Sequence, residues 1–308
     1  MSEFSIPVID MALFADPATR QGFVEDLGAA LSEVGFVAVL NHGIDKDLLA
    51  NSYESAAEVF ALPDSVKRQY ETPENGRQRG YTSFGVEHAK DVAAPDLKEF
   101  WHVGRTLAAD HPLHVAGDVP ANLFPAEVPA FGANLTELFS QMEDFANRLL
   151  VAFGDYLGLP ADYFTKLITD GNSLVRIINY PPVPEGSLQG MVRAAAHEDI
   201  NLITVLPYAS NPGLQILTRD GQWLDVTTPP DVMICDTGDM MALLTNGQVP
   251  SCTHRVVNPD GDDGGRMSMP FFLHPHPDKV LTPFREGDAK PVKARDFLHK
   301  RLKEIGVA

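Results

Sequence analysis

Ala194-Ala195-Ala196-His197-Glu198-Asp199-Ile200-Asn201-Leu202-Ile203-Thr204-Val205-Leu206 holds two short apolar runs separated by a polar break. His197 closes the first run and Ile200 opens the second, a pattern that reads as consecutive β-strands. The same texture continues on both sides. From about Ser173 the chain offers Leu174–Tyr180, Met191–His197, Asn201–Leu206, Gly213–Leu217, Trp223–Val226, Val232–Asp236, Cys252–Val257 and Met267–Leu273. Turn-forming Gly, Pro, Asn and Asp stand between these runs. Eight short strands punctuated in this way predict an all-β sandwich or barrel, of which the jelly roll is the eight-stranded member.

Outside this core, expected over about 172–275, helical periodicity takes over. Phe23, Leu27, Ala30 and Leu31 recur at helical spacing, and Phe36-Val37-Ala38-Val39-Leu40 reads as a buried strand ended by Asn41-His42-Gly43. Leu135, Leu138, Phe139, Met142, Phe145, Leu149 and Phe153 form the apolar stripe of a long helix over roughly Ala126–Leu157, and Phe297–Ile305 reads as a closing amphipathic helix. The expected organisation is an N-terminal, largely helical region over 1–125 and a β-rich region over 126–308. Together they make one structural domain, mainly β with flanking helices.

The composition excludes several classes. A formal charge of −18 and 44% hydrophobic residues describe an acidic chain with ample material for a core. Such a surface repels phosphate backbones and anionic lipids, so neither nucleic acid nor membrane is an expected partner. No run approaches the ~18 apolar residues of a membrane span. Glu3 and Pro7 fall where a secretory leader would carry a basic and then an apolar segment, which points to the cytoplasm. There Cys235 and Cys252 are expected as free thiols. Cys252 lies two residues before His254, so strand alternation would put the two on one face, with Cys252 packing as a small hydrophobe. The sequence sets no oligomeric state.

The candidate chemistry lies at His197, Asp199 and His254. On a strand, residues i and i+2 share a face at about 6.6 Å, so a His-x-Asp pair can reach one ion. A distant second histidine then completes the two-imidazole, one-carboxylate face used by non-haem iron(II) oxygenases. His-x-acid occurs twice, at His197-Glu198-Asp199 and His276-Pro277-Asp278. Two prolines around His276 break strand alternation, so that copy is expected in a loop. Twelve residues beyond His254, Arg266 and Ser268 share a strand face and suit a carboxylate.

These stretches resemble the isopenicillin N synthase-like branch of the iron(II)/2-oxoglutarate-dependent oxygenases. The resemblance runs through Ile6-Pro7-Val8-Ile9-Asp10, Gly35-Phe36, Asn41-His42-Gly43-Ile44 and Asp96-Leu97-Lys98-Glu99. It continues through the His197–Thr204 stretch, Gly213-Leu214-Gln215, Thr245-Asn246-Gly247, His254-Arg255-Val256 and Arg266–Phe272. It implies a double-stranded β-helix (jelly roll) with a helical N-terminal region. It also implies iron(II) on His197, Asp199 and His254, with dioxygen and 2-oxoglutarate as cosubstrates. Arg266, Ser268 and Tyr180 would hold the 2-oxoglutarate carboxylate; Ile178 stands where many plant members carry Asn, so that contact is not carried over. The implied reaction hydroxylates, desaturates or cyclises a small molecule at a C–H bond while 2-oxoglutarate loses CO2 to give succinate. By family position the pocket would use Phe84, His88, Trp101, Arg176 and Phe272, a set suited to a small molecule bearing a carboxylate. Two other readings keep the scaffold. One is an iron oxidase of the isopenicillin N synthase type that uses no 2-oxoglutarate, disfavoured by a tail, Lys303–Ala308, without glutamine. The other is a non-catalytic jelly-roll binding protein. No dinucleotide, phosphate-loop, nucleophile-elbow or Cys-x-x-Cys motif is present.

Overall fold

The computed structural model describes residues 6–86, 96–182, 192–226, 229, 231–258 and 264–304. The larger of two facing sheets runs β1 (Val8–Asp10), β2 (Phe36–Leu40), β10 (Met233–Thr237), β7 (Ile203–Leu206), β13 (Phe271–Leu273), β5 (Leu174–Tyr180), β4 (Glu99–Gly104) and β3 (Gly80–Thr82), with β12 (Arg266–Ser268) also paired to β5. The smaller sheet runs β6 (Ala194–His197), β11 (His254–Val256), β8 (Leu214–Leu217) and β9 (Trp223–Asp225). This is the double-stranded β-helix with flanking helices. The N-terminal region supplies four strands of the larger sheet as well as helices.

Alternation gives that sheet two apolar faces. Val37, Val39, Trp101, Val175, Ile177, Val205, Cys235 and Phe271 point outward to the helices. Phe36, Ala38 and Ile234 point inward and meet Leu214, Ile216 and Val226 of the smaller sheet and its flank. Phe100, Ile178 and Tyr180 meet Ala194 and Val256 in the same way. The metal-ligating candidates sit at the rim of this inner space.

Three helices cover the outer face: α1 (Arg20–Glu33), α2 (Lys46–Phe60) and α3 (Pro129–Leu157), the last against both others. The whole predicted stripe of α3 is buried, and Phe139 meets Phe271 edge-on at 5.3 Å. The helix begins at Pro129 rather than Ala126, because proline is preorganised for the first helical position. It ends at Gly158, whose φ of 72° lets the chain leave in the left-handed conformation. The C-terminal helix α5 (Ala294–Glu304) starts earlier than its periodicity suggests; Ile305 lies outside the described residues.

Two strands differ from expectation. The predicted run Met267–Leu273 is broken at Met269-Pro270 into β12 and β13. Proline has no N–H for the ladder, although its carbonyl still accepts from Arg176 N at 2.8 Å. The run Cys252–Val257 pairs only over His254–Val256. Cys252 therefore precedes the strand, and strand alternation does not set where its thiol points. Among the described residues, no helix is long and apolar enough to cross a membrane.

Candidate active site

His197 ends β6 and His254 begins β11, directly opposite in the antiparallel register, with ring centroids 4.4 Å apart. Asp199 comes from the turn after β6, so strand alternation is not what delivers it. The chain bends instead, and its carboxylate Oδ1 stands 3.9 Å from Nε2 of both histidines. Two bonds of about 2.1 Å from one ion span about 4.2 Å, so the three groups are spaced to share a metal. The bend depends on Gly238, at the entry to α4 (Asp239–Leu244), where a Cβ would stand 2.7 Å from the Asp199 carbonyl and 2.5 Å from that of Asn201. Asp239 N then donates to the Asp199 carbonyl at 2.8 Å.

Each ligand candidate is held from behind. His197 Nδ1 contacts the Ala195 carbonyl at 2.8 Å and His254 Nδ1 the Cys252 carbonyl at 3.1 Å. A carbonyl only accepts, so each Nδ1 carries the proton and each Nε2 turns its lone pair to the shared space. The Thr204 hydroxyl donates to Asp199 Oδ2 and accepts from Asn201 Nδ2 at 2.9 Å. Burial, and then the neighbouring His254, bring His197 down to about 4, although 35% of its side chain meets the cleft. The direction follows from both causes and leaves a neutral imidazole near pH 7. Asp236 lies across from Thr204 on the inner face; burial and the Asp199 charge hold it well above the ordinary carboxylate range.

The second cluster sits on β12 and β5. Arg266 pairs with Tyr180 and Ser268 with Ile178. Arg266 and Ser268 share the inner face, and Arg266 Nη1 donates to Ser268 Oγ at 3.1 Å. Tyr180 lays its ring 5.3 Å from the guanidinium. Leu206, Leu214, Val226, Ile234 and Arg266 border a cavity of about 170 Å³. Ser210 and Asn211 border it as well, and Arg266 is the cation in its lining, which suits a carboxylate.

Comparison with known proteins decides the family. Residues 6–127 match the family described as non-haem dioxygenase in morphine synthesis N-terminal, and residues 171–275 match the 2OG-Fe(II) oxygenase superfamily. A protein of the 2OG-Fe(II) oxygenase family from Caulobacter crescentus superposes with TM-score 0.88 at 38% identity, over 98% of this chain and 100% of that one. The chain belongs to the 2-oxoglutarate/iron(II) oxygenases. Rice flavanone 3-dioxygenase 2 (Oryza sativa subsp. japonica) is 31% identical over 97% of this chain and 82% of its own. A full-length Neurospora crassa protein crystallised in complex with alpha-KG superposes with TM-score 0.85 at 26% identity, over 98% of each chain. The protein is thus a 2-oxoglutarate- and iron(II)-dependent oxygenase, and its donor set fits that metal: two neutral imidazoles and one carboxylate.

The pocket candidates of this oxygenase divide. Arg176 and Phe272 both face inward. The Arg176 guanidinium lies 4.5 Å from the Phe100 ring and 5.4 Å from the Phe272 ring, with Nε donating to His102 Nε2 at 2.7 Å. His102 is fixed as that acceptor because its Nδ1 contacts the Arg77 carbonyl at 2.8 Å. Trp101 is a correction. It is 0% exposed, packs beside Tyr70, Tyr81 and Phe131 on the outer face, and donates Nε1–H to the Leu123 carbonyl at 3.0 Å. In β4 it alternates with the inward His102, so it belongs to the core. Phe84 stands 48% exposed in the turn after β3. His88, residues 259–263 and the tail from Ile305 lie outside the described residues. His276 occupies a loop, its Nδ1 accepting from Asp278 N at 3.0 Å.

Sequence reading did not assign the supporting residues their roles. Asp96 pairs with Lys98 at 2.9 Å, both buried, and accepts from Ala195 N at 3.1 Å, so it clasps the residue whose carbonyl orients His197. Thr204 and Asp236 were hidden in apolar runs, where a lone polar residue in an otherwise apolar strand was the available signal. Cys252 turns away: its Sγ donates to the Val34 carbonyl at 3.0 Å and lies where a Cβ on Gly35 would stand, 1.8 Å away. Burial pushes this thiol up to about 12. Both cysteines are buried and free.

Proposed function

We propose that His197, Asp199 and His254 hold the catalytic iron(II), while Arg266, Ser268 and Tyr180 hold the distal carboxylate of 2-oxoglutarate in the inter-sheet cavity. The observation that carries this reading is the convergence of both Nε2 atoms on Asp199 Oδ1, with every rear atom of the set committed to a hydrogen bond. When bound, the iron and 2-oxoglutarate supply dioxygen activation, releasing succinate and CO2 and oxidising a C–H bond of a second substrate.

This chain's own residues do the rest. Ala195 and Cys252 carbonyls keep the imidazoles in the ligating tautomer. Thr204 fixes the carboxylate rotamer so that Oδ1 faces the metal, and burial and the Asp199 charge hold Asp236, across from Thr204, well above the ordinary carboxylate range. The Arg266 fork meets a carboxylate along two N–H directions, which gives orientation as well as charge. Leu206, Leu214, Val226 and Ile234 supply apolar surface beside that contact.

The second substrate, on this reading, is a small molecule bearing a carboxylate. Arg176 supports this, since it places a guanidinium between the Phe100 and Phe272 rings on the inner face, a cation beside an apolar wall. The Neurospora crassa protein was also crystallised with thymine, a small molecule. Hydroxylation is the simplest outcome, with desaturation and ring closure open to the same site. The chain works as one structural domain, a reading supported by β1–β4 joining the same sheet as β5. A cytoplasmic setting is supported by the two free thiols. A panel of small carboxylates, screened by succinate release with iron(II) and 2-oxoglutarate present, tests this. Uncharged analogues should fail where their acids succeed, and Arg176→Gln should raise the KM of the successful acid without altering 2-oxoglutarate binding.

A further inference from the structure

The segment between β7 and β8, residues 207–213, crosses from one sheet to the other and lies along β12. Ser210 N donates to the Met267 carbonyl at 3.0 Å, and Met267 N donates to Ser210 Oγ at 2.8 Å. Asn211 Nδ2 donates to the Gly265 carbonyl at 2.5 Å. The Asn211 carbonyl accepts from Arg266 Nε at 3.0 Å. A guanidinium is planar, so fixing the direction of Nε–H fixes the plane of the whole fork. With Nε tied to Asn211 and Nη1 to Ser268, the orientation Arg266 offers a carboxylate is set by where this segment sits.

The segment is anchored in turn from outside the sheets. Tyr53, in the middle of α2, donates its hydroxyl to the Tyr208 carbonyl at 2.5 Å, and the two rings lie 5.2 Å apart at 30°. This contact spans 155 residues of sequence. Burial raises the Tyr53 hydroxyl far above physiological pH, so it remains a donor throughout. The Tyr53 hydroxyl is the one side-chain donor from the N-terminal helices that the described contacts place on this segment.

We propose that Tyr53 is a positioning residue for 2-oxoglutarate: through Tyr208 and Asn211 it sets the plane of the Arg266 guanidinium, and so the affinity for the distal carboxylate. The inference rests on Arg266 holding that carboxylate. His197, Asp199 and His254 lie elsewhere, on β6, the turn after it and β11. A helix of the N-terminal region thereby tunes cosubstrate binding without touching the cosubstrate.

The test is anaerobic calorimetric titration of the iron(II)-loaded, full-length protein with 2-oxoglutarate and, separately, with pyruvate. Pyruvate has the same oxoacid end and no distal carboxylate. Tyr53→Phe keeps the ring on Tyr208 and removes only the hydroxyl. It is expected to weaken 2-oxoglutarate binding roughly three- to tenfold, the scale of one hydrogen bond, while pyruvate binding and iron(II) affinity stay within about twofold. In an Arg266→Lys background the same change should have no further effect on 2-oxoglutarate, since the fork it orients is gone. Unchanged 2-oxoglutarate affinity in Tyr53→Phe, with a loss in Arg266→Lys, would overturn the proposal and leave the role of Arg266 standing. Unchanged affinity in both variants would overturn the role of Arg266 and the proposal with it. Equal weakening for pyruvate and 2-oxoglutarate would make Tyr53 a structural residue and also overturn the proposal.

Discussion

Replacing His197, Asp199 or His254 by alanine is expected to abolish iron(II) binding and leave the fold intact, because each sits at the rim of the inner space rather than in its packed core. His276→Ala should change neither, as measured by metal titration and circular dichroism. Thr204→Val probes the support behind them: losing the hydroxyl that fixes Asp199 should lower iron affinity about 10- to 100-fold without removing a ligand. Arg266→Lys should cost 2-oxoglutarate binding on the order of 2 kcal/mol or more, since a point charge cannot copy the fork. At this scale the sequence was informative about residue types and silent about their supports. His197, Asp199 and His254 stand out because a His-x-Asp at the break between two apolar runs is followed by a second histidine in a later short run. Asp96 and Tyr53 act through partners about 100 and 155 residues away, and no local pattern encodes such contacts.

Strands and turns carry a different kind of sensitivity. Gly35 has φ of +75° and its missing Cβ is filled by the Cys252 thiol, so Gly35→Ala should destabilise the fold by about 2 kcal/mol or more. Cys252→Ala should relieve part of that loss in the double variant, and equilibrium urea unfolding of the four proteins measures the coupling. Cys252→Ser alone should leave iron affinity unchanged, because the thiol points to Val34 rather than to the site. The strand periodicity behind most of the sheet was visible in advance, yet its breaks were not all placed. Pro270 divides one predicted strand into β12 and β13, and Asp199 leaves β6 by a turn that only Gly238 makes room for. Alternation predicts a face within a strand and nothing beyond the strand's end.

For the molecule as a whole, the expected pH response has a definite sign. His274 is buried just beyond β13, and burial lowers it to about 4. The unfolded chain binds that proton near 6.5, so it takes up more protons than the native state between the two values. The contribution is present above about pH 6.5 and is lost as pH falls toward 4, worth on the order of 3 kcal/mol at most. His197 adds in the same direction in iron-free protein, reduced by its partial exposure. Unfolding of the iron-free protein at pH 7 and pH 5 should show this loss, and His274→Asn should flatten it. The jelly roll itself was legible from eight short runs and their turn residues. What the runs could not show was that four N-terminal strands extend the same sheet, since partners as distant as Glu99 and Asn179, or Phe36 and Asp236, leave no local trace.

The most direct test of the iron and 2-oxoglutarate assignment is a titration with two reagents. Wild-type protein, freed of metal and kept anaerobic, is titrated with iron(II) and then 2-oxoglutarate, and dioxygen is admitted while succinate is measured. One iron and one 2-oxoglutarate per chain are expected, with succinate formed only when both are present and none from Asp199→Ala. Iron binding that survives in Asp199→Ala, or substrate oxidation at full rate without 2-oxoglutarate, would contradict it.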